Sequence, residues 1–184
     1  MQKLVLITVF SVASFFTARS QKTVGANLEG GISIFGAWKD NSKVAWLPSI
    51  TIGPGIKFFK TSSFSLLLNL PVTVGWNLDK GTFFGINAPL MLSLRLGAAS
   101  GNGDHSRFGF IIGAGAGYTN IVNYYENSND KRAHKEFWGY QLQAGLCFGK
   151  DQGVVGPILM FHAGKSITTG SGYIAGLSLL FTVD

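Results

Sequence analysis

The stretch Ser63–Asn77 reads SFSLLLNLPVTVGWN. Phe64, Leu66, Leu68, Leu70, Val72, Val74 and Trp76 share one parity, all large and apolar, and Ser63, Ser65, Leu67, Asn69, Pro71, Thr73, Gly75 and Asn77 share the other. A helix would mix these two sets around its circumference, whereas a strand sends alternate residues to opposite faces, so the stretch is read as a strand. Its 15 residues exceed both the usual strand and the roughly 9–11 residues that a tilted strand needs to cross a bilayer.

Composition points the same way. Charged residues make up 13% of the 184, against roughly 25% in a typical soluble domain, and 25 glycines accompany a positive mean hydropathy. A soluble surface is hard to build from this. No apolar run reaches the ~18–20 residues of a membrane helix, so a membrane protein of this composition has to be made of strands.

Residues 1–20 read as an export signal, leaving one domain over residues 21–184. Lys3 supplies the positive start, Leu4–Phe16 a 13-residue apolar run, and Ala18 and Ser20 the small residues before a cut at Gln21. Removing Lys3 and Arg19 takes the basic count from 15 to 13 against 9 acids, a net charge of +4. That mild excess favours lipid phosphates and shows no clustered stripe for nucleic acid. Cys147 is the only cysteine, so the chain has no internal disulfide framework and must rely on ladder hydrogen bonds and packing.

Eight segments alternate in this manner: Thr23–Trp38, Val44–Phe59, Ser63–Asn77, Thr82–Leu96, Arg107–Ile121, Phe137–Phe148, Val154–Ser166 and Tyr173–Val183. An even number of antiparallel strands closes into a barrel without an exposed edge. The fold class expected is all-β, an eight-stranded antiparallel up-and-down transmembrane barrel. Pro48, Pro54, Pro71, Pro89 and Pro157 lack a ladder donor, and bulges are expected there. In a soluble barrel the bulky apolar face would point inward, where eight strands leave room only for modest side chains, and the outside would be poor in charge. The apolar face therefore points out.

With the N-terminus in the periplasm, the links after the first, third, fifth and seventh strands face the cell surface. Trp38, Trp46, Trp76, Tyr118, Trp138 and Tyr173 cluster beside those links as an aromatic girdle, and Phe58, Phe64, Phe108, Phe148 and Phe181 lie near the opposite rim. The one sizeable surface element expected is the loop Val122–Glu136, with Lys131, Arg132 and Lys135 placed to meet lipopolysaccharide phosphates or a partner.

In this pattern of export signal and amphipathic strands the chain resembles the small outer-membrane β-barrel proteins of the OmpA-transmembrane-domain and OmpX type. It looks closest to the short Bacteroidota barrels grouped as outer-membrane beta-barrel or PorT-like proteins. The resemblance covers residues 21–184 and implies outer-membrane lipid and the outer-membrane assembly machinery as partners. Such barrels commonly end on an aromatic residue; here Phe181 stands three residues before the terminal Asp184.

The inward parity carries Glu29, Lys57, Arg95 and Arg107. A lone charge in so narrow an interior is costly, so Glu29 is expected to pair with Arg95 or Lys57, with Asn69, Gln141 and Gln143 completing a polar plug. An ion-conducting gate is the functional alternative. His105, His134 and His162 do not share metal-ligand spacing, and neither a metal nor a cofactor is expected. His162 with Ser166 and Ser171 would suit a membrane-embedded lipid hydrolase, but parity turns His162 inward, away from lipid. Gly113–Gly117 lacks the last glycine and the following helix of a nucleotide loop, and its glycines are read as admitting close packing. Cys147 is read as a small interior filler. The expected role is non-enzymatic, structural or surface-interacting, with a narrow pore or a lipid hydrolase as alternatives. Amino-terminal sequencing of the exported protein tests the signal reading, with Gln21 as the expected first residue and an intact Met1 start as the contrary result.

Overall fold

Alternating bulky apolar and small or polar side chains favour an extended chain with two unlike faces. The computed structural model describes residues 24–39, 44–61, 64–77, 83–100, 107–123, 133–149, 155–168 and 172–183. Among these it forms strands β1 (Gly25–Lys39), β2 (Ala45–Lys60), β3 (Phe64–Asn69), β4 (Val72–Asn77), β5 (Phe83–Gly97), β6 (Phe108–Asn123), β7 (Ala133–Gly149), β8 (Val155–Ser166) and β9 (Gly172–Val183). β3 and β4 are halves of one stave, since each pairs with both β2 and β5. Counting them once turns nine strands into eight staves. Every pairing is antiparallel between chain neighbours, and β1 pairs with β9 as well as with β2. The sheet therefore closes on itself and leaves no edge.

Of the five prolines, Pro71 breaks a strand and Pro157 falls at a register shift, where Cys147 pairs with Ile158 but Gly149 with Val155. At the break, the Leu70 N–H reaches the Pro54 carbonyl at 2.9 Å. The bulges expected at Pro48, Pro54 and Pro89 do not occur: each sits in continuous register, opposite Ile34, Leu28 and Gly117 respectively. A proline there forgoes one ladder donor, and the bonds on either side hold the alignment. A second shift lies between Lys57 and Phe59, where the sequence carries no proline.

The faces are inside out relative to a soluble barrel. Leu142 is 57% exposed between Gln141 at 2% and Gln143 at 8%, which decides the orientation of β7. Ile32, Ile50, Leu92, Ile112, Leu177 and Leu179 are likewise exposed. The upper end of the barrel is here the one holding the links after β1, β4, β6 and β8.

Two expected links differ from the reading of the sequence. The loop expected over Val122–Glu136 is shorter, because the β6–β7 ladder continues to Asn123 opposite Ala133. Lys131 and Arg132 lie outside the described residues, and Lys135 belongs to β7, opposite Ile121. At the lower end, the chain after β5 does not simply turn outside the barrel. Ala98–Ser100 forms a short 3-10 turn whose three residues are all buried, and its alanines pack with Ile111, Cys147, Ile158, Met160 and Leu180. Gly97 makes this entry with φ of 60°, a left-handed geometry that glycine adopts without a side-chain clash.

At the upper end Phe35, Ala37, Leu47, Ile121, Phe137 and Ile174 form a second buried apolar cluster inside the barrel. Gly75 and Gly85 make room for it. A Cβ on Gly75 would lie 2.8 Å from Leu47 Cβ, and one on Gly85 would lie 2.5 Å from Leu47 Cδ1 and 2.9 Å from Phe35 Cζ. Replacing Gly85 with Val overpacks this cluster and is expected to cost about 1–3 kcal/mol; urea unfolding in detergent micelles, followed by tryptophan fluorescence, reads the loss. Gly25→Val, with nothing within 4 Å of its added Cβ, is the control expected to leave the midpoint nearly unchanged.

Candidate functional site

The interior is banded, because inward positions near both strand ends carry apolar side chains and those between carry polar ones. Between the two apolar clusters runs a belt of hydroxyls and amides. Ser33 Oγ donates to Ser178 Oγ at 2.7 Å and lies 2.6 Å from Thr51 Oγ1, which lies 2.8 Å from Thr73 Oγ1. That chain spans β9, β1, β2 and β4. On the opposite wall Gln141 Nε2 donates to Asn87 Oδ1 at 2.7 Å, Thr119 Oγ1 donates to the same oxygen at 2.9 Å, and Gln143 Nε2 donates to Ser93 Oγ at 2.6 Å. Buried polar atoms need such partners because hydration is lost.

Below the belt, Arg95 donates through Nη2 to Glu29 Oε1, with both side chains almost wholly buried. Asn69 Nδ2 donates to the other carboxylate oxygen at 3.3 Å. Lys57 is 2% exposed in the same half. Arg107, expected among these inward charges, is instead exposed at the lower rim ahead of β6. Its neighbours explain this: its carbonyl accepts from Gly149 N–H at 2.8 Å, and the buried Ala98–Ser100 turn occupies the lower mouth. Of the residues expected to form the polar plug, the structure brings Glu29, Arg95 and Asn69 into contact, puts Gln141 and Gln143 in the belt above, and leaves Arg107 outside.

A cavity of about 30 Å³ remains between belt and ion pair, lined among others by Glu29, Asn69, Asn87, Gln143, His162 and Ser178. It suits one or two waters. His162 lines this cavity, while Ser166 Oγ lies 3.0 Å from Thr168 Oγ1 near the upper end. No hydrogen bond joins the two: His162 Nε2 is buried without a partner, and Ser171 and His105 lie outside the described residues. Gly113–Gly117 lies within β6, where a Cβ on Gly113 would come 2.8 Å from Gln143 Nε2 and 2.9 Å from Ser93 Oγ.

The girdle residues are all placed on the outer face toward the upper end. Trp38 stacks on Tyr173 with centroids 5.7 Å apart, Tyr118 meets Trp138 at 5.4 Å, and Lys165 Nζ sits 5.5 Å from the Tyr173 ring. Trp46 lies over the backbone of Gly36, where a Cβ would meet its ring at 2.8 Å, and Trp76 pairs across from Phe84. At the lower rim Phe108 and Phe148 meet edge to face at 5.9 Å.

Sequence reasoning missed the two apolar ends of the lumen. Phe35 and Leu47 share the inward parity of Ser33 and Ser49, and they pair directly across β1 and β2. The signal was present as two bulky residues on an otherwise small-residue face, but the glycines that accommodate them stand on β4 and β5, far away in sequence.

No family model and no curated protein sequence matches the chain. Solved structures do. The barrel is similar to Neisserial surface protein A, with a TM-score of 0.59 and 10% identity over 88% of this chain and 99% of that one. It is also similar to Ail, the attachment invasion locus protein of Yersinia pestis, with a TM-score of 0.51 and 10% identity over 88% of this chain and 100% of that one. At such identities the likeness is one of fold.

Truncating one partner of the buried ion pair leaves the other charge unpaired, so Glu29→Ala is expected to cost about 3–5 kcal/mol. Glu29→Ala combined with Arg95→Ala is expected to cost clearly less than the sum of the two single changes. Chemical unfolding of all four proteins in micelles measures the coupling, and strict additivity would contradict it.

Proposed function

We propose that this chain is a non-enzymatic integral β-barrel of a bacterial outer membrane, with a lumen that does not conduct and a role carried by its upper rim. The observation that supports this most is the pairing of an apolar exterior with an interior banded by two apolar clusters around a hydrogen-bonded belt. Such an exterior suits hydrocarbon, and the Trp and Tyr girdle suits the headgroup layer. The export signal over residues 1–20 and the likeness in pattern to the PorT-like barrels of Bacteroidota belong to the same reading.

At the upper rim Lys165 stands over Tyr173, which stacks on Trp38; in sequence Lys131 and Arg132 fall between β6 and β7, and Lys135 lies in β7 near the same end. Cations set among interfacial aromatics fit anionic headgroups. The partner assigned to this rim is the phosphate of lipopolysaccharide in the outer leaflet. The rival readings, a narrow pore and a lipid hydrolase, need an open water path or a nucleophile and base in contact at the lipid face.

Planar-bilayer recording of the purified barrel tests the first part: only rare, small events are expected, and a steady large conductance overturns the reading. For the rim, Lys165→Ala together with Lys131→Ala, Arg132→Ala and Lys135→Ala is expected to weaken retention on lipopolysaccharide vesicles at low salt by roughly tenfold. Unchanged retention would remove lipopolysaccharide phosphate as the partner.

A further inference from the structure

The outer wall of the barrel is not evenly covered. Between β5 and β9 a hollow of about 510 Å³ opens on the outer face, lined entirely by apolar residues, with Phe110, Ile112, Leu146 and Phe161 around the small Ala144 and Gly145. Strand register explains it. Ile112 is opposite Ala144, Ala144 opposite Phe161, and Phe161 opposite Leu177, so one alanine interrupts a row of bulky outward side chains.

The relief around this hollow differs above and below. Beneath it the exposed outward residues are Phe108, Phe148 and Phe181, whereas the row above carries Ala114, Leu142, Ala163 and Ala175. One row higher stands Lys165, opposite Tyr140 on β7 and Tyr173 on β9, with Nζ 5.5 Å from the Tyr173 ring. The connection after β8, residues 167–171, contains no acid, and Glu136, exposed on the outer face of β7, hydrogen-bonds to Tyr118. A low path over Ala163 therefore leads from an ammonium group to an apolar recess. Lys165 lies four residues from Phe161 and six from Leu159 on β8, about 13–20 Å along the strand and about 10–15 Å in depth at a tilt of roughly 35–45°. One leaflet is of that depth, since the apolar band of such barrels is roughly 25 Å tall.

Resting on the reading of the upper rim given above, we propose that this hollow takes one acyl chain of a lipopolysaccharide whose phosphate is held at Lys165. A phosphate on a hydrocarbon tail matches both ends of the path: the head meets a cation set among aromatic rings, and the chain fills a recess without polar groups. Entry is from the upper side, where the side chains are small, so the lipid belongs to the outer leaflet. A phospholipid of the opposite leaflet would have to pass Phe108, Phe148 and Phe181.

Purified lipopolysaccharide is the probe. With the unaltered full chain in deuterated micelles, nuclear Overhauser contacts from its acyl protons are expected at the methyl groups of Ala144 and Leu146; contacts equally strong at Ile50 and Ile52 on β2 overturn the proposal. Native mass spectrometry of the same mixture is expected to retain one lipopolysaccharide per barrel. Ala144→Phe, which fills the hollow, is expected to weaken that retention by about tenfold, and Ala144→Leu by less. Ile50→Phe, an outward change on the far wall, is expected to leave it unchanged. Preferential retention of phosphatidylglycerol, or a second barrel bound through the hollow and lost in Ala144→Phe, overturns the assignment to lipopolysaccharide. If Ala144→Phe retains lipopolysaccharide fully while removal of the rim cations releases it, the hollow falls and the rim reading stands; if neither change matters, both fall.

Discussion

The volume enclosed by eight staves is the constraint on which the rest of this structure depends. Closure removes every edge, but it also fixes a narrow interior that side chains must fill without clashing. The chain meets this by matching large residues to glycines on nearby strands of the inner face. Phe35 and Leu47 occupy the space left by Gly75 and Gly85, Gln143 lies over Gly113, and Met160 over Gly145. These inner-face glycines are therefore a packing feature rather than a mark of loose structure.

The same confinement governs the polar groups. Hydroxyls and amides near mid-height cannot reach bulk water, so they bond to one another in a belt spanning several staves, and the Glu29–Arg95 pair forms below it. A buried ion pair is weak evidence for added stability, since desolvation offsets its attraction. What it does provide is a constraint on register: a slip of one residue on β1 or β5 would turn Glu29 or Arg95 out toward the apolar exterior. The pair thus disfavours misaligned closures, while the apolar ends supply packing. Function, on the reading given above, is left to the rims, where side chains are free to meet headgroups and solvent.

Parity alone settled much of this. The alternation in Ser63–Asn77 and its seven counterparts determined strand type and face assignment, with the apolar face outward; the observed strands begin and end close to the expected ones, apart from β7, which starts at Ala133, and the third segment, which divides into β3 and β4. The outward placement of the upper-end aromatics and the inward direction of Glu29, Lys57, Arg95, Gln141 and Gln143 were legible for the same reason, since direction in a strand is a local property with period two. What sequence could not supply was height and neighbourhood inside the barrel. Whether Glu29 met Arg95 or Lys57 depended on strand stagger, which is set by closure, and Arg107 left the interior because a turn from the preceding link already filled the mouth. The apolar ends of the lumen and the continuous register at Pro48, Pro54 and Pro89 were likewise decided by tertiary structure. Each depends on residues from strands distant in sequence that only the closed sheet brings side by side.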